Sequence, residues 1–149
     1  MEDSKRRVEL HFFGWAHTRG DGFAWLPKEK VLCTGDVVTN GPHNYTADSN
    51  IGNWPAVIAA ARKLGPRHVL PGHGGAGGTE IMDGQAKFFV ELRSAVEKAA
   101  KAGQNPDAIA ASIKLPDSVK NWVGQGLKAQ VKDAYNEVTL HKPAGDFPH

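Results

Sequence analysis

Two histidines and one aspartate sit in short glycine-bearing segments beside apolar runs: His17 in Ala16-His17-Thr18-Arg19-Gly20-Asp21, Asp36 closing Thr34-Gly35-Asp36, and His73 in Pro71-Gly72-His73-Gly74-Gly75. Strand ends fix the direction of a side chain, and glycines let the backbone close around an ion or ligand. Two imidazoles and a carboxylate presented this way form a donor set suited to a borderline metal such as zinc. Thr18 and the glycine amides are placed to orient such donors through hydrogen bonds. Each segment alone also has a plain reading: a polar loop histidine, an Asx turn, and a tight turn or anion-binding glycine loop.

Other residues invite the same weighing. His43, Asn44 and Tyr45 lie in the loop just past Asp36, where they either line a substrate cleft or belong to a solvated loop. His11 lies on an alternating strand and is expected to pack or hydrogen-bond there. Trp15 and Trp54 read as core or helix-packing residues, and Cys33 as a buried, inert thiol within a strand. Lys98, Lys101, Lys114 and Lys120 are spread through helical segments and read as solvated faces.

The elements that must position these groups follow from periodicity. Val8, Leu10 and Phe12 alternate with Glu9, His11 and Phe13, the period of a strand. Residues 23–26 and 31–34 read as a hairpin about Pro27-Lys28-Glu29-Lys30. A loop over 36–53 leads to a helix over 54–64, with Val57, Ile58 and Ala61 on one face, Asn53 as N-cap and Gly65-Pro66 as its stop. Residues 67–70 form a strand and 71–78 a glycine-rich loop. Ile81, Phe88, Phe89, Leu92 and Val96 give an amphipathic helix over 79–102, ended by Gly103. Asn105-Pro106 opens a shorter helix that Leu115-Pro116 breaks, residues 117–138 are helical again with a bend at Gly124 or Gly126, and the tail from 142 reads as loose. This order of strands and helices indicates an α/β layered domain.

Composition sets outer limits. The 149 residues are one domain's worth, with 40% apolar and 23% charged side chains, which is globular and not disordered. Eighteen basic residues against sixteen acidic ones give a net charge of +2, too balanced to suggest a nucleic-acid partner. One cysteine excludes an intramolecular disulfide and a cysteine-based zinc site. The charged stretch 1–7 is not a signal peptide and no stretch reaches membrane-spanning length, so a soluble, cytoplasmic protein is expected.

Taken together and in order, His17-Thr18-x-Gly20-Asp21, then Leu26-Pro27 before a hairpin, then Leu32-Cys33-Thr34-Gly35-Asp36, a helix, and Leu70-Pro71-Gly72-His73-Gly74 resemble the C-terminal half of the metallo-β-lactamase superfamily. The resemblance covers about residues 8–78. It implies an α/β fold: half of an αββα sandwich, a mixed β-sheet covered by helices, with residues 79–149 as a helical elaboration of the same domain. His17 and Asp36 match ligand positions of a first metal. Asp36, as the bridging carboxylate, and His73 match those of a second. The implied cofactor is one or two zinc ions, other divalent transition metals being alternatives, and the implied reaction is hydroxide attack on an ester, thioester, lactam or phosphodiester of a small-molecule substrate, with Asp36 catalytic.

The superfamily's leading His-x-His-x-Asp-His motif, which supplies further ligands to both metals, is absent, since no Asp-His pair occurs in the chain. A catalytic zinc takes three protein ligands plus water. The resemblance thus implies a half-site, to be completed by a second copy in a homodimer or by a complementary N-terminal half. Val8, Leu10, Phe12 and Val31 are the expected uncovered sheet face. The alternatives are a catalytically inactive fold that binds metal weakly or acts through association, and a single structural metal held by His17, Asp36 and His73.

Overall fold

The computed structural model describes residues 6–147, so most of the charged N-terminal stretch, and His149 in the tail, lie outside it. Four strands form one mixed sheet in the order β1 (Glu9–His11), β2 (Phe23–Leu26), β3 (Val31–Thr39), β4 (His68–His73). The first three are joined antiparallel, whereas β4 returns parallel to β3 after helix α1 (Trp54–Arg62), the crossover that a parallel pair requires. Helices α2 (Thr79–Lys101), α3 (Pro106–Ser112) and α4 (Leu127–Leu140) follow, with a 3-10 turn at Asp117–Trp122.

Alternation along the strands decides which face is covered. Phe23, Trp25, Leu32 and Val69 point to one side and are buried beneath α1 and α2. The stacked rings of Trp54 and Phe89, 4.1 Å apart, join those two helices. The core runs without a break from Ala16 to Ala134. Each large apolar side chain in it contributes roughly 1.5–3 kcal/mol of burial.

The opposite face carries no layer among the described residues. Leu10, Ala24, Cys33 and Leu70 form one cross-strand row, each paired in register with the next. Leu10 is 80% exposed and Phe12 64% exposed, while Val8 and Val31 on the same face are half-buried. Cys33 sits half-buried in this row, not within the core as expected, because its place in the alternation turns it away from the helices.

Several local expectations are corrected. The third strand runs on through Gly35 and Asp36 to Thr39, so Asp36 lies inside a strand and not at its end. Side chains hold that extension in place: the Thr39 N–H donates to Gln85 Oε1 at 2.6 Å, and Trp122 Nε1 donates to the Thr39 carbonyl at 2.8 Å. Asn53 stands at the N-cap of α1 as expected, but its side chain makes no capping bond and instead donates its amide to the Trp15 carbonyl at 2.9 Å. The helix expected over 117–138 is broken between Trp122 and Leu127, where Gly124 packs against Pro42 and a β-carbon would meet that ring at 2.5 Å. The tail is tied down as far as residue 147: Gly145 N–H donates to the Ser49 carbonyl at 2.8 Å and Ala144 is buried. No described helix is long and apolar enough to cross a membrane.

Candidate metal centre

The loop carrying His17 is folded around one carboxylate. Asp21, only 7% exposed, accepts from the backbone N–H groups of Ala16 at 2.9 Å and His17 at 2.8 Å through one oxygen. Its other oxygen accepts from Thr18 N–H at 2.8 Å and from the Thr18 hydroxyl at 3.0 Å. Four donors on one buried side chain fix the loop backbone and therefore the root of the His17 side chain. The imidazole lies edge-on to Trp54, with ring centres 5.8 Å apart, and to Tyr45 at 6.2 Å. Trp54 is in turn locked by its bond to the Val37 carbonyl on β3.

Asp36 and His73 meet across the β3–β4 pair, where the register slips between Cys33 and Gly35 and again before Thr39. Gly35 takes up the irregularity at φ 51°. The His73 Nε2 to Asp36 Oδ1 distance is 3.5 Å, and both side chains are partly exposed. Gly72 leaves room for the pair: a β-carbon there would collide with Asp36 Oδ1 and fall 2.7 Å from the Gly35 carbonyl carbon. Gly74, at φ 86°, likewise leaves room for the Asn40 carbonyl, and the Asn40 N–H closes the strand end by donating to the His73 carbonyl at 2.8 Å.

The loop after β3 places side chains alternately. Asn44 is 8% exposed and fully engaged: its amide donates to the Trp122 carbonyl, its side-chain oxygen accepts from the Thr39 hydroxyl, and its backbone carbonyl accepts from Gln130. The expected substrate contact at Asn44 is therefore corrected to an anchor. Thr46 is a second anchor, donating to Asp133 at 2.6 Å. Between and beside them His43 and Tyr45 point outward, His43 over the His73 ring at 5.4 Å and Tyr45 over His17. His11 bonds Glu9 at 3.1 Å and stacks on Phe13, as a strand histidine should.

The donor chemistry fits a divalent ion in part. Two ligands of a tetrahedral zinc, each bonded at about 2.0–2.1 Å, lie roughly 3.3 Å apart, which the Asp36–His73 separation of 3.5 Å nearly equals. Among the described residues no group of three or more His, Cys, Asp or Glu side chains is gathered closely enough to hold an ion. His17, Asp36 and His73 are thus a preformed pair plus a separately seated histidine. Asp21 and Gly72 are the residues that sequence reasoning gave no role of their own. The signal for Asp21 was its place closing a His-Thr-x-Gly-Asp turn, where a short carboxylate reaches back to the loop's N–H groups.

No family model matches the chain. Among solved structures, a metallo-β-lactamase from Pontibacter korlensis aligns with a TM-score of 0.55 over 60% of this chain and 44% of its own, at 23% identity. The DIM-1 metallo-β-lactamase aligns with a TM-score of 0.51 over 55% of this chain and 41% of its own, at 27% identity. Over about 60% of its length the chain therefore has a metallo-β-lactamase-like fold, built here as one mixed sheet with helices on one face. By sequence it is similar to the type 2 metallo-β-lactamase of Bacteroides fragilis, 27% identical over 81 residues, which are 51% of this chain and 32% of that protein. The chain spans less than half of the length of each of these relatives.

Proposed function

We propose that this protein is a metal-dependent hydrolase of the metallo-β-lactamase superfamily, acting on an ester, thioester, lactam or phosphodiester in a small molecule. The observation that carries the reading is the Asp36–His73 pair, held at 3.5 Å across a parallel strand pair that Gly72 keeps clear. Zinc bound there would supply Lewis-acid polarisation of the scissile group and a water acidified towards neutrality. Asp36 and His73 hold that ion, His17 serves a neighbouring position, and Tyr45 and His43 form the wall against which a substrate rests. Asp21 keeps the His17 loop in shape.

The set is completed from outside these residues, by a second copy of the chain or by a complementary half carrying further histidines. The uncovered sheet face supports association, since Leu10 and Phe12 lie exposed at its β1 edge and Leu70 at its β4 edge. An apolar face of this kind is more often a contact surface than a free one. A second reading, a catalytically silent fold that works only by association, is favoured by the absence of a third gathered donor among the described residues.

Zinc content, solution mass and turnover on a panel of ester, thioester, lactam and phosphodiester substrates, measured on one preparation, separate the two. Turnover that needs zinc and disappears in Asp36→Ala supports the hydrolase. A folded, associated protein that is inert on the whole panel with zinc in excess supports the silent fold.

A further inference from the structure

We infer that a second copy of this chain covers the open sheet face, with Phe12 of each copy seated in a groove on the other. The inference chooses between the two partners named above and depends on no metal. Two cross-strand rows make up the face, Leu10–Ala24–Cys33–Leu70 and Leu26–Val31–His68. Neither row holds a carboxylate, a lysine or an arginine. A face without fixed charge offers an acidic or basic segment nothing to pair with, and fits a surface that is likewise apolar. This chain carries such a surface itself.

The face holds both a projection and a recess. Phe12, exposed, follows Leu10 by two residues at the β1 edge. The recess is an open, mainly apolar groove of about 270 Å³, bounded by Leu10, Gly22, Ala24, Cys33 and Gly35 with the neighbouring backbone. Gly22 and Gly35 give it depth, since a β-carbon on either would meet nothing within 4 Å. A projection and a recess on one face are what a self-complementary contact requires. A twofold axis lying between them in the interface exchanges the two, so each copy gives one Phe12 and receives one. The size is also adequate. Strands about 4.8 Å apart and outward runs of about five residues make the face roughly 19 by 16 Å. Two such faces in contact withdraw on the order of 1,000 Å² from water, the lower bound for a specific interface.

The test reads mass and thiol reactivity on the full chain, so its outcome is separate from that of the hydrolase reading. Sedimentation equilibrium is run on wild type, Phe12→Ala, Ala24→Gln and an equimolar mixture of the two variants, with helix content checked by circular dichroism. Phe12→Ala removes the projection, and Ala24→Gln puts a longer polar side chain in the recess. Wild type is expected to form dimers at micromolar concentration, and each variant to bind itself at least about tenfold more weakly. The mixture should associate more tightly than either variant alone, because Phe12 of one chain meets the intact groove of the other. Cys33, the single cysteine, should be alkylated more slowly in wild type than in either variant. Wild type that stays monomeric would overturn the second copy as the partner and leave the hydrolase reading untouched. A mixture no tighter than its components would overturn the seating of Phe12 in the groove.

Discussion

Gly72 lies directly beneath the Asp36 carboxylate, so close that any side chain on it would occupy the space of Oδ1. The contact joins β4 to β3 at the point where their register slips, and it leaves the Asp36 oxygen turned toward His73. Gly72→Ala must therefore displace either the carboxylate or the strand backbone, since Gly35 and Asp36 main-chain atoms also lie within 2.8 Å of the added carbon. The expected result is a loss of about 1–3 kcal/mol in unfolding free energy together with weakened zinc binding. Denaturant melts and zinc titration of this variant check both. Unchanged stability and zinc affinity would show that the strand pair relaxes freely.

Asp21 is the second positional device. Replacing it with Ala leaves the N–H groups of Ala16, His17 and Thr18 without their acceptor, and the partly buried loop lets water replace only some of those bonds. Asp21→Ala should cost about 1–3 kcal/mol and broaden the His17 imidazole resonances in NMR spectra. Asp21→Asn, which keeps one acceptor oxygen, should fall between it and wild type. Equal stability of all three proteins would remove Asp21 from the account.

Glu137 makes stability depend on pH. Burial pushes its carboxyl above the ordinary glutamate range, against the bonds from Ala144, Ile51 and Gly52 N–H groups and the charge of Arg93, which pull it down. With the folded value raised, folding favours the protonated form. That contribution is complete below the unfolded value and is lost as pH rises through the folded one. Glu137→Gln has no such titration. The melting temperature of wild type relative to Glu137→Gln should therefore move in wild type's favour as pH falls from neutrality toward about 4. A difference that moves the other way would contradict the burial argument.

How much of this was legible in the sequence depends on the range of the interaction involved. The alternation of Val8, Leu10 and Phe12 identified the outward face, because period two is a local property of a strand. The helix over Thr79–Lys101 was legible for the same reason, from its apolar spacing. The extension of β3 through Gly35-Asp36 was hidden, since glycine and aspartate disfavour strands and two of the groups that hold Thr39 in place, Gln85 and Trp122, lie far along the chain. Asn44 resembled a loop residue for an equivalent reason: its partners Trp122 and Gln130 come from the helical half. His17, Asp36 and His73 were legible as types in tight turns, but their distances were not.

The apolar sheet face gives the prediction on association. If a second copy covers Leu10 and Phe12, wild type should sediment as a dimer at micromolar concentration, and the double variant Leu10→Asp, Phe12→Asp should sediment as a monomer of unchanged helix content. Wild type that remains monomeric at those concentrations would leave a complementary chain, not a second copy, as the covering partner.

The central claim is that Asp36 and His73 together hold a metal ion. Its most direct test is elemental analysis of zinc in protein dialysed against micromolar zinc, comparing wild type with Asp36→Ala, His73→Ala and His141→Asn. His141 ends α4 at φ 55°, a conformation that asparagine also tolerates, and it serves as the control. The account predicts stoichiometric zinc in wild type and His141→Asn, and zinc lost from both Asp36→Ala and His73→Ala. Zinc retained by those two variants, or zinc absent from wild type, would contradict it.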